Sequence, residues 1–387
     1  MHFRSTLSTE RDTDAAVEQV CRALDGLDWD LAIVFTSHHH GPEFDNVLAG
    51  ISDGISARNL IGCTAESIIG PDREIEQAPA IVVWAARMPG VKILPFCIDQ
   101  SDLQRFMGSP DWHDRLGVTP DEKPSFVVLP EPFSINVDAC LQNIDRAYPG
   151  SVVVGGVASG ANAAGQNRLF TGDQALRQGL VGVSLCGDVR INSVVSQGCR
   201  PIGQPFVVTK SEENVISELG GRPALDVIRD VYHSVGTDDQ ELIQKGLMLG
   251  RVVDEHLEAF GPGDFLIRNV LQIVDGRAIA VNEMIRPGQT VQLHVRDAKA
   301  ATEEMKSLLG TRVRKMDRSP AGGLLFSCNG RGRRMFDAAN HDIGIVNSIV
   351  DSCVVAGFFA GGEIGPIGNR TFVHGFTSSL ILFSEPV

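Results

Sequence analysis

Hydrophobic and polar positions along this chain follow a pattern that recurs three times. An apolar run comes first, at 31–35, 126–129 and 324–327. A helix-period segment follows, and then a strand carrying Gly-x-x-Ala, at Gly62 to Ala65, Gly155 to Ala158 and Gly357 to Ala360. A second apolar run closes each unit, at 80–86, 180–185 and 379–383. In the first and third copies the match extends to Gly-Pro, at Gly70-Pro71 and Gly365-Pro366. A repeat of this kind says that most of the chain is one supersecondary module, duplicated and diverged.

The helical segments show the stripe of a helix lying on a sheet: Phe44, Val47, Leu48, Ile51 and Ile55 in the first copy, Val137, Leu141, Ile144 and Tyr148 in the second. The third copy, with Val346, Ile349, Val350 and Cys353, is less regular. A strand, a crossover helix and a strand predict a parallel pair with a right-handed connection. The closing strand returns after a short turn-rich stretch and is expected to pair antiparallel. The Gly/Ala strands carry small residues on both faces, so a second sheet is expected close behind the first. The fold class is α/β, with mixed sheets of repeated strand-helix-strand-strand units in layers of helix, sheet, sheet and helix.

Outside the repeats, Val17, Val20 and Leu24 predict a leading helix over 12–24. Residues 190–309 follow a different pattern. Pro223 suits the first position of a helix over 224–232, where Leu225, Ile228 and Tyr232 share a face. Asp275-Gly276 predicts a two-residue hairpin, and Pro287-Gly288 a type II turn before a strand at 290–295. Asp297 is the expected N-cap of a helix running to Leu309. With a junction near Gly220, the expected organisation is an N-terminal helical segment, 1–28, then two related domains, 29–220 and 221–387.

Composition narrows the partners. The 387 residues carry a net charge of −14, which disfavours nucleic acid or an anionic membrane surface as partner. The basic cluster at 331–334 is too short to reverse that. Eight scattered cysteines include no Cys-x-x-Cys, and several sit in apolar runs as reduced thiols do. The N-terminus has no apolar signal segment, and no stretch approaches the length of a membrane span. A cytoplasmic protein is expected.

Most familiar catalytic signatures are missing, among them Walker A, His-Glu-x-x-His and Gly-x-Ser-x-Gly. Gly155-Gly156-x-x-Ser159-Gly160 lacks dinucleotide-loop spacing, and close strand packing explains its glycines better. His38-His39-His40 follows a strand, but consecutive side chains diverge, so a polar loop is expected and no metal. The third copy is richer. Cys328, Asn329 and Arg331 lie just past the carboxyl end of an apolar strand, where α/β sheets form ligand crevices. Arginine there offers donors to a carboxylate or phosphate, and lowers the pKa of a neighbouring thiol. A nucleophilic Cys328 would also need a base, with His341 and His374 as candidates. Glu363, among small residues, suits an amine or one of the arginines. Arg268, Arg296 and Asp297, at strand positions or strand ends, and Cys199-Arg200 in a turn each admit a binding role or a buried ion pair.

Together these motifs resemble a known family. The stretch 198–203, Gly-Cys-Arg-Pro-Ile-Gly, with 214–224 around Glu218-Leu219-Gly220-Gly221-Arg222-Pro223, is similar to the FIST N-terminal domain. The segments 265–269, 288–297, 326–332 and 357–366 resemble the FIST C-terminal domain. The name abbreviates F-box and intracellular signal transduction, and the resemblance covers about residues 28–385. It implies a sensory module for small ligands such as amino acids, found alone or fused to signalling domains and F-boxes. This chain resembles the stand-alone form, with a small-molecule ligand and a signalling protein as partners and no cofactor. No catalytic residue set comes with the resemblance. The expected ligand site comprises Cys328, Asn329, Arg331, Glu363, Arg296, Asp297, Arg268, Cys199 and Arg200. Two rival readings stand beside this one: an enzyme using Cys328 on a small substrate, and a protein-interaction scaffold.

Overall fold

The computed structural model describes residues 1–41, 43–261 and 263–386. It divides into two compact units that interleave along the chain. The first comprises residues 1–195, 306–373 and 378–387, and the second residues 196–305 and 374–377.

Each repeat is longer than its hydrophobic pattern suggests, because a lead strand precedes it. Repeat one runs β1 (His2–Ser8), α1 (Thr13–Leu24), β2 (Leu31–Ser37), α2 (Phe44–Gly54), β3 (Leu60–Ala65), the hairpin β4 (Ile68–Ile69) and β5 (Glu74–Ile75), and β6 (Ile81–Arg87). Repeat two runs β7 (Val91–Ile98), α3 (Gln100–Arg105), α4 (Ser109–Leu116), β8 (Ser125–Pro130), α5 (Val137–Ala147), β9 (Val153–Gly156), the hairpin β10 (Leu169–Thr171) and β11 (Gln174–Leu176), and β12 (Leu180–Gly187). Repeat three opens with β13 (Arg190–Gln197) and is then interrupted by the elements of the second unit.

Those elements are β14 (Cys199–Glu212), β15 (Val215–Leu219), β16 (Arg222–Pro223), α6 (Ala224–Ser234), α7 (Thr237–Lys245), β17 (Leu247–Val252), β18 (Phe265–Val274), β19 (Ala278–Val281) and β20 (Thr290–Arg296). Repeat three resumes with α8 (Ala298–Arg314), β21 (Gly322–Cys328), α9 (His341–Ile349), β22 (Val354–Ala360), the hairpin β23 (Glu363–Ile367) and β24 (Arg370–His374), and β25 (Thr377–Ser384).

The three sheets of the first unit have one design. Their orders are β1-β6-β2-β3-β10-β11, β7-β12-β8-β9-β23-β24 and β13-β25-β21-β22-β4-β5. In each, the first and second strands are parallel and the closing strand is antiparallel to the first, as the pattern predicts. The last two strands of every sheet come from another repeat. Repeat two gives its hairpin to sheet one, repeat three to sheet two, and repeat one to sheet three. Donated and host strands are antiparallel.

Strand alternation then sorts the side chains. Ile33, Phe35, Val127, Leu129, Phe326 and Phe358 point from all three sheets into one shared core. Phe35 packs edge-on to Phe326 and beside Phe358, with ring centroids 6.2 and 4.8 Å apart. The alternate positions face helices: Ala32 and Val34 meet α1 and α2, and Phe126 and Val128 meet α4 and α5. The third sheet shares the same centre.

The Gly-x-x-Ala glycines owe their place to this geometry. A Cβ on Gly62, Gly155 or Gly357 would lie 2.1, 1.8 or 1.7 Å from the carbonyl oxygen of Val34, Val128 or Leu325, its register partner on the first strand. The Gly-Pro glycines serve another contact: a Cβ on Gly70 or Gly365 would strike Leu7 or Val195 of the repeat's own lead strand.

In the second unit β14, β20, β17, β18, β19 and β15 pair in that order, and β14 pairs with β15 to close an antiparallel barrel. Its core takes Ile202, Ile216, Leu249, Ile279 and Leu293 from the strands and Val227 and Val231 from α6. Asp275 and Gly276 both have positive φ, as the predicted two-residue hairpin demands, and Gly288 at φ 92° fits the type II turn. Pro223 is the N-cap of α6, one position before its expected place. Gly220 and Gly221 turn the chain between β15 and β16. The leading helix matches 12–24 with Asp12 as its cap, and Asp297 accepts from Ala300 N at the start of α8. In repeat three the helix stops at Ile349, so Cys353 lies beyond it.

Candidate functional site

The carboxyl ends of the core strands from all three repeats meet around a cleft of about 530 Å³ in the first unit. His38 and His39 enter from the turn after β2, and Glu66 from the end of β3. Ser159 and Gly160 come from the loop after β9, and Arg334 from the turn after β21. Hydrogen bonds sew these ends together. Ser159 Oγ donates to Phe359 O at 2.5 Å and accepts from Glu66 N at 3.0 Å. Thr64 O accepts from Ser159 N and Gly160 N. The close approach needs glycine at 160, where a Cβ would lie 2.8 Å from Thr64.

One ion pair lines the cleft. Arg334 Nη2 reaches Glu66 Oε1 at 2.5 Å, with side chains 48% and 25% exposed. Nη1 of Arg334 donates to Asn329 O at 2.9 Å, and Asn329 N donates to Ala360 O. Both charges therefore stay accessible to a solute, on a backbone fixed from below.

Behind this turn lies a buried charge network. Arg331 is fully buried and grips Asp342 with two bonds, Nε to Oδ2 at 2.7 Å and Nη2 to Oδ1 at 2.8 Å. Ser327 Oγ and His341 Nδ1 donate to the same carboxylate, and the His341 ring stacks on Phe336, over which Arg331 also lies. Burial pushes the Asp342 carboxyl up, but Arg331 and these hydrogen bonds outweigh it and hold the group far below the usual range. Burial lowers Arg331, and Asp342 more than restores it. Cys328 and Glu363 lie close enough to raise it further.

Glu74, from the donated hairpin, caps α9: its Oε1 accepts from Asp342 N at 2.9 Å and Ile343 N at 3.0 Å. Burial, and next the charge of Asp342, push its pKa up to about 7. Its other oxygen is buried with no hydrogen-bond partner among the described residues. Glu76 accepts from Arg333 N, so the hairpin braces the turn from both sides.

Of the residues singled out in sequence, Cys328, Asn329, Arg331 and Glu363 gather in this region. Cys328 is partly exposed, and its Sγ accepts from Gly330 N at 3.4 Å. The other five belong to the barrel unit, where they engage one another or further residues of that unit. Arg200 bonds Asp297 at 2.6 Å and also Asp239. Arg268 pairs with Glu283 at 3.4 Å, and Arg296 sits 4.5 Å over the Phe376 ring. Cys199 is buried opposite Arg296 in the strand register.

Burial lowers the pKa of His39 and His40, with the preceding histidine a lesser cause, and His40 turns to Thr13 Oγ1 at 3.2 Å. Among the described residues no group of three or more His, Cys, Asp or Glu could hold a metal ion. No helix among them is long and apolar enough to cross a membrane. Glu66, Glu74 and Asp342 were not singled out in sequence. Asp342 had a usable signal, since it stands eleven residues past Arg331 in the first turn of a helix.

Comparison with known proteins finds two family profiles, which meet within the barrel unit rather than at the boundary between the two units. The sequence profile of the FIST N domain matches residues 30–222, and that of the FIST C domain residues 224–366. The chain belongs to the FIST family. FIST domains are regarded as small-ligand-binding domains of signal transduction. An uncharacterized protein of Mycobacterium tuberculosis strain H37Rv is 40% identical over 356 residues, 92% of this chain and 91% of that one. One of Mycobacterium bovis is 39% identical over 375 residues, 96% and 95% of the two chains. Among solved structures, a cyanuric acid hydrolase from A. caulinodans aligns over 100% of this FIST chain and 99% of its own, at 9% identity and a TM-score of 0.38. That likeness is too low to bear on function.

Proposed function

We propose that this FIST protein is a small-ligand sensor that takes an amino-acid-like zwitterion in the cleft between Glu66 and Arg334. One observation carries the reading: an ion pair with both members accessible lines a cavity of about 530 Å³. A ligand with one carboxylate and one ammonium can replace each partner for the other, so neither protein charge is left unpaired. Arg331, the guanidinium favoured from sequence, is committed to Asp342 and supports the Cys328-to-Arg334 turn from behind. Cys328, Asn329 and Glu363 belong to the same supporting layer. A signalling role follows from the family, with a protein partner downstream.

Isothermal titration of the purified chain against the standard amino acids tests this. At least one should bind, and Arg334→Ala or Glu66→Ala should each weaken it by at least about tenfold, a loss of about 1.4 kcal/mol. Both residues are partly exposed, so the melting temperature should move little. Unaltered affinity in both variants would sink the placement.

A further inference from the structure

A second feature of the first unit is independent of the ligand cleft. Strand β13 ends its sheet, and among the described residues it pairs with β25 on one side only. An unpaired edge presents a row of N–H and C=O groups that natural proteins usually blunt. The equivalent lead strand β7 is blunted, since it carries Pro95 and Lys92. Residues 190–195 contain no proline, and their one charged side chain, Arg190, stands at the very start of the strand.

Two hollows of about 480 and 330 Å³ run along this edge and share Ile191 and Asn192. The rim is basic. Arg312 lines one hollow, and Arg190, Lys315 and Arg318 the other. All four are exposed, and none is in an ion pair with a carboxylate among the described residues. Two acidic side chains lie nearby: Asp317, and Glu385, which is bound by the N-terminal ammonium and also feels the charge of Arg318. Such a concentration of positive charge on a chain of net charge −14 is a local exception.

We propose that β13 is a docking edge for an extended acidic segment of a partner protein, which adds to the sheet as a further strand. Main-chain bonds to 190–195 would supply affinity, and glutamate or aspartate side chains meeting Arg312, Lys315 and Arg318 would supply selectivity. A second copy of this chain is disfavoured, because edge-to-edge pairing would face four cations with four more. Nucleic acid is disfavoured by the overall negative charge, which repels a polyanion before it reaches the groove.

Fluorescence anisotropy with a labelled peptide of roughly ten alternating valines and glutamates, long enough to span the edge, tests this. The full chain should bind it, more weakly as salt rises. Arg312→Glu combined with Lys315→Glu, both at exposed sites, should weaken binding at least about tenfold. N-methylation of alternate peptide amides should abolish it, which a purely electrostatic contact would not show. Failure of the acidic peptide to bind overturns the proposal. So does equal binding of a valine–lysine peptide, indifference to N-methylation, preferential competition by single-stranded DNA, or a dimer in light scattering whose formation excludes the peptide.

Discussion

Two carboxylates near the cleft show how placement assigns opposite chemistry to similar side chains. Asp342 is fully supplied with donors and stays charged, whereas Glu74 has two backbone donors on one oxygen and none on the other. Its pKa of about 7 lies above the unfolded value of about 4.3. The folded state therefore holds a proton that the unfolded state gives up between those limits, and stability falls as pH rises through that window. The loss is on the order of 3 kcal/mol, complete above pH 8. The depressed pKa of Asp342 acts the other way, but only in stronger acid. Urea unfolding at pH 5 and pH 8 should show the wild type losing stability across the range, while Glu74→Gln, with no proton to lose, changes far less. Parallel behaviour of the two proteins would refute the assignment. None of this could be read from the sequence around Glu74, because Asp342, whose amide it caps, lies 268 residues later.

At the scale of elements, the legible parts were those whose signal is local. The three crossover helices, the Asp275-Gly276 hairpin and the Asp297 cap each rest on a periodicity or a dipeptide within one short window. The lead strands were not legible. β7 is buried at Phe96 and Ile98 only, so no alternation sets it apart from a loop. The donated hairpins were not legible either, since strands of two to five residues show little or no period and pair with another repeat. Barrel closure depends on β14 meeting both β15 and β20, a matter of register between distant segments. The Gly-x-x-Ala signal lies between these cases, visible as a pattern but explained only by the carbonyl each glycine faces. Gly155→Ala would force the backbone of β9 away from Val128, because its Cβ meets main chain that cannot rotate aside. A loss of about 3 kcal/mol is expected, at the upper end for overpacking. Alanine at Gly150, which has open space around it but φ of 79°, should cost about 1 kcal/mol from strain alone. Equal losses at the two positions in urea unfolding would count against the close-packing account.

For the whole molecule, the exchange of hairpins matters more than the repetition itself. Each sheet of the first unit is finished by residues from another repeat, so no repeat buries its own strands alone. The shared core draws on all three, with Phe35, Leu129 and Phe326 in one cluster. The barrel differs, because every strand that closes it lies between Cys199 and Arg296 and it has a core of its own. Two fragments distinguish these designs. A fragment of residues 198–297 keeps all six barrel strands and α6, and should unfold cooperatively in urea with dispersed amide resonances. A fragment of residues 1–187 holds two complete repeats, yet it lacks both β23–β24, which sheet two needs, and the host strand β22 for its own β4–β5. It should be compact at most, with exposed apolar surface that binds a hydrophobic dye. A well-folded 1–187 would mean that hairpin exchange decorates the sheets and does not hold them together. An unfolded 198–297 would mean that barrel closure alone cannot sustain the second unit, and that its stability depends on the chain on either side.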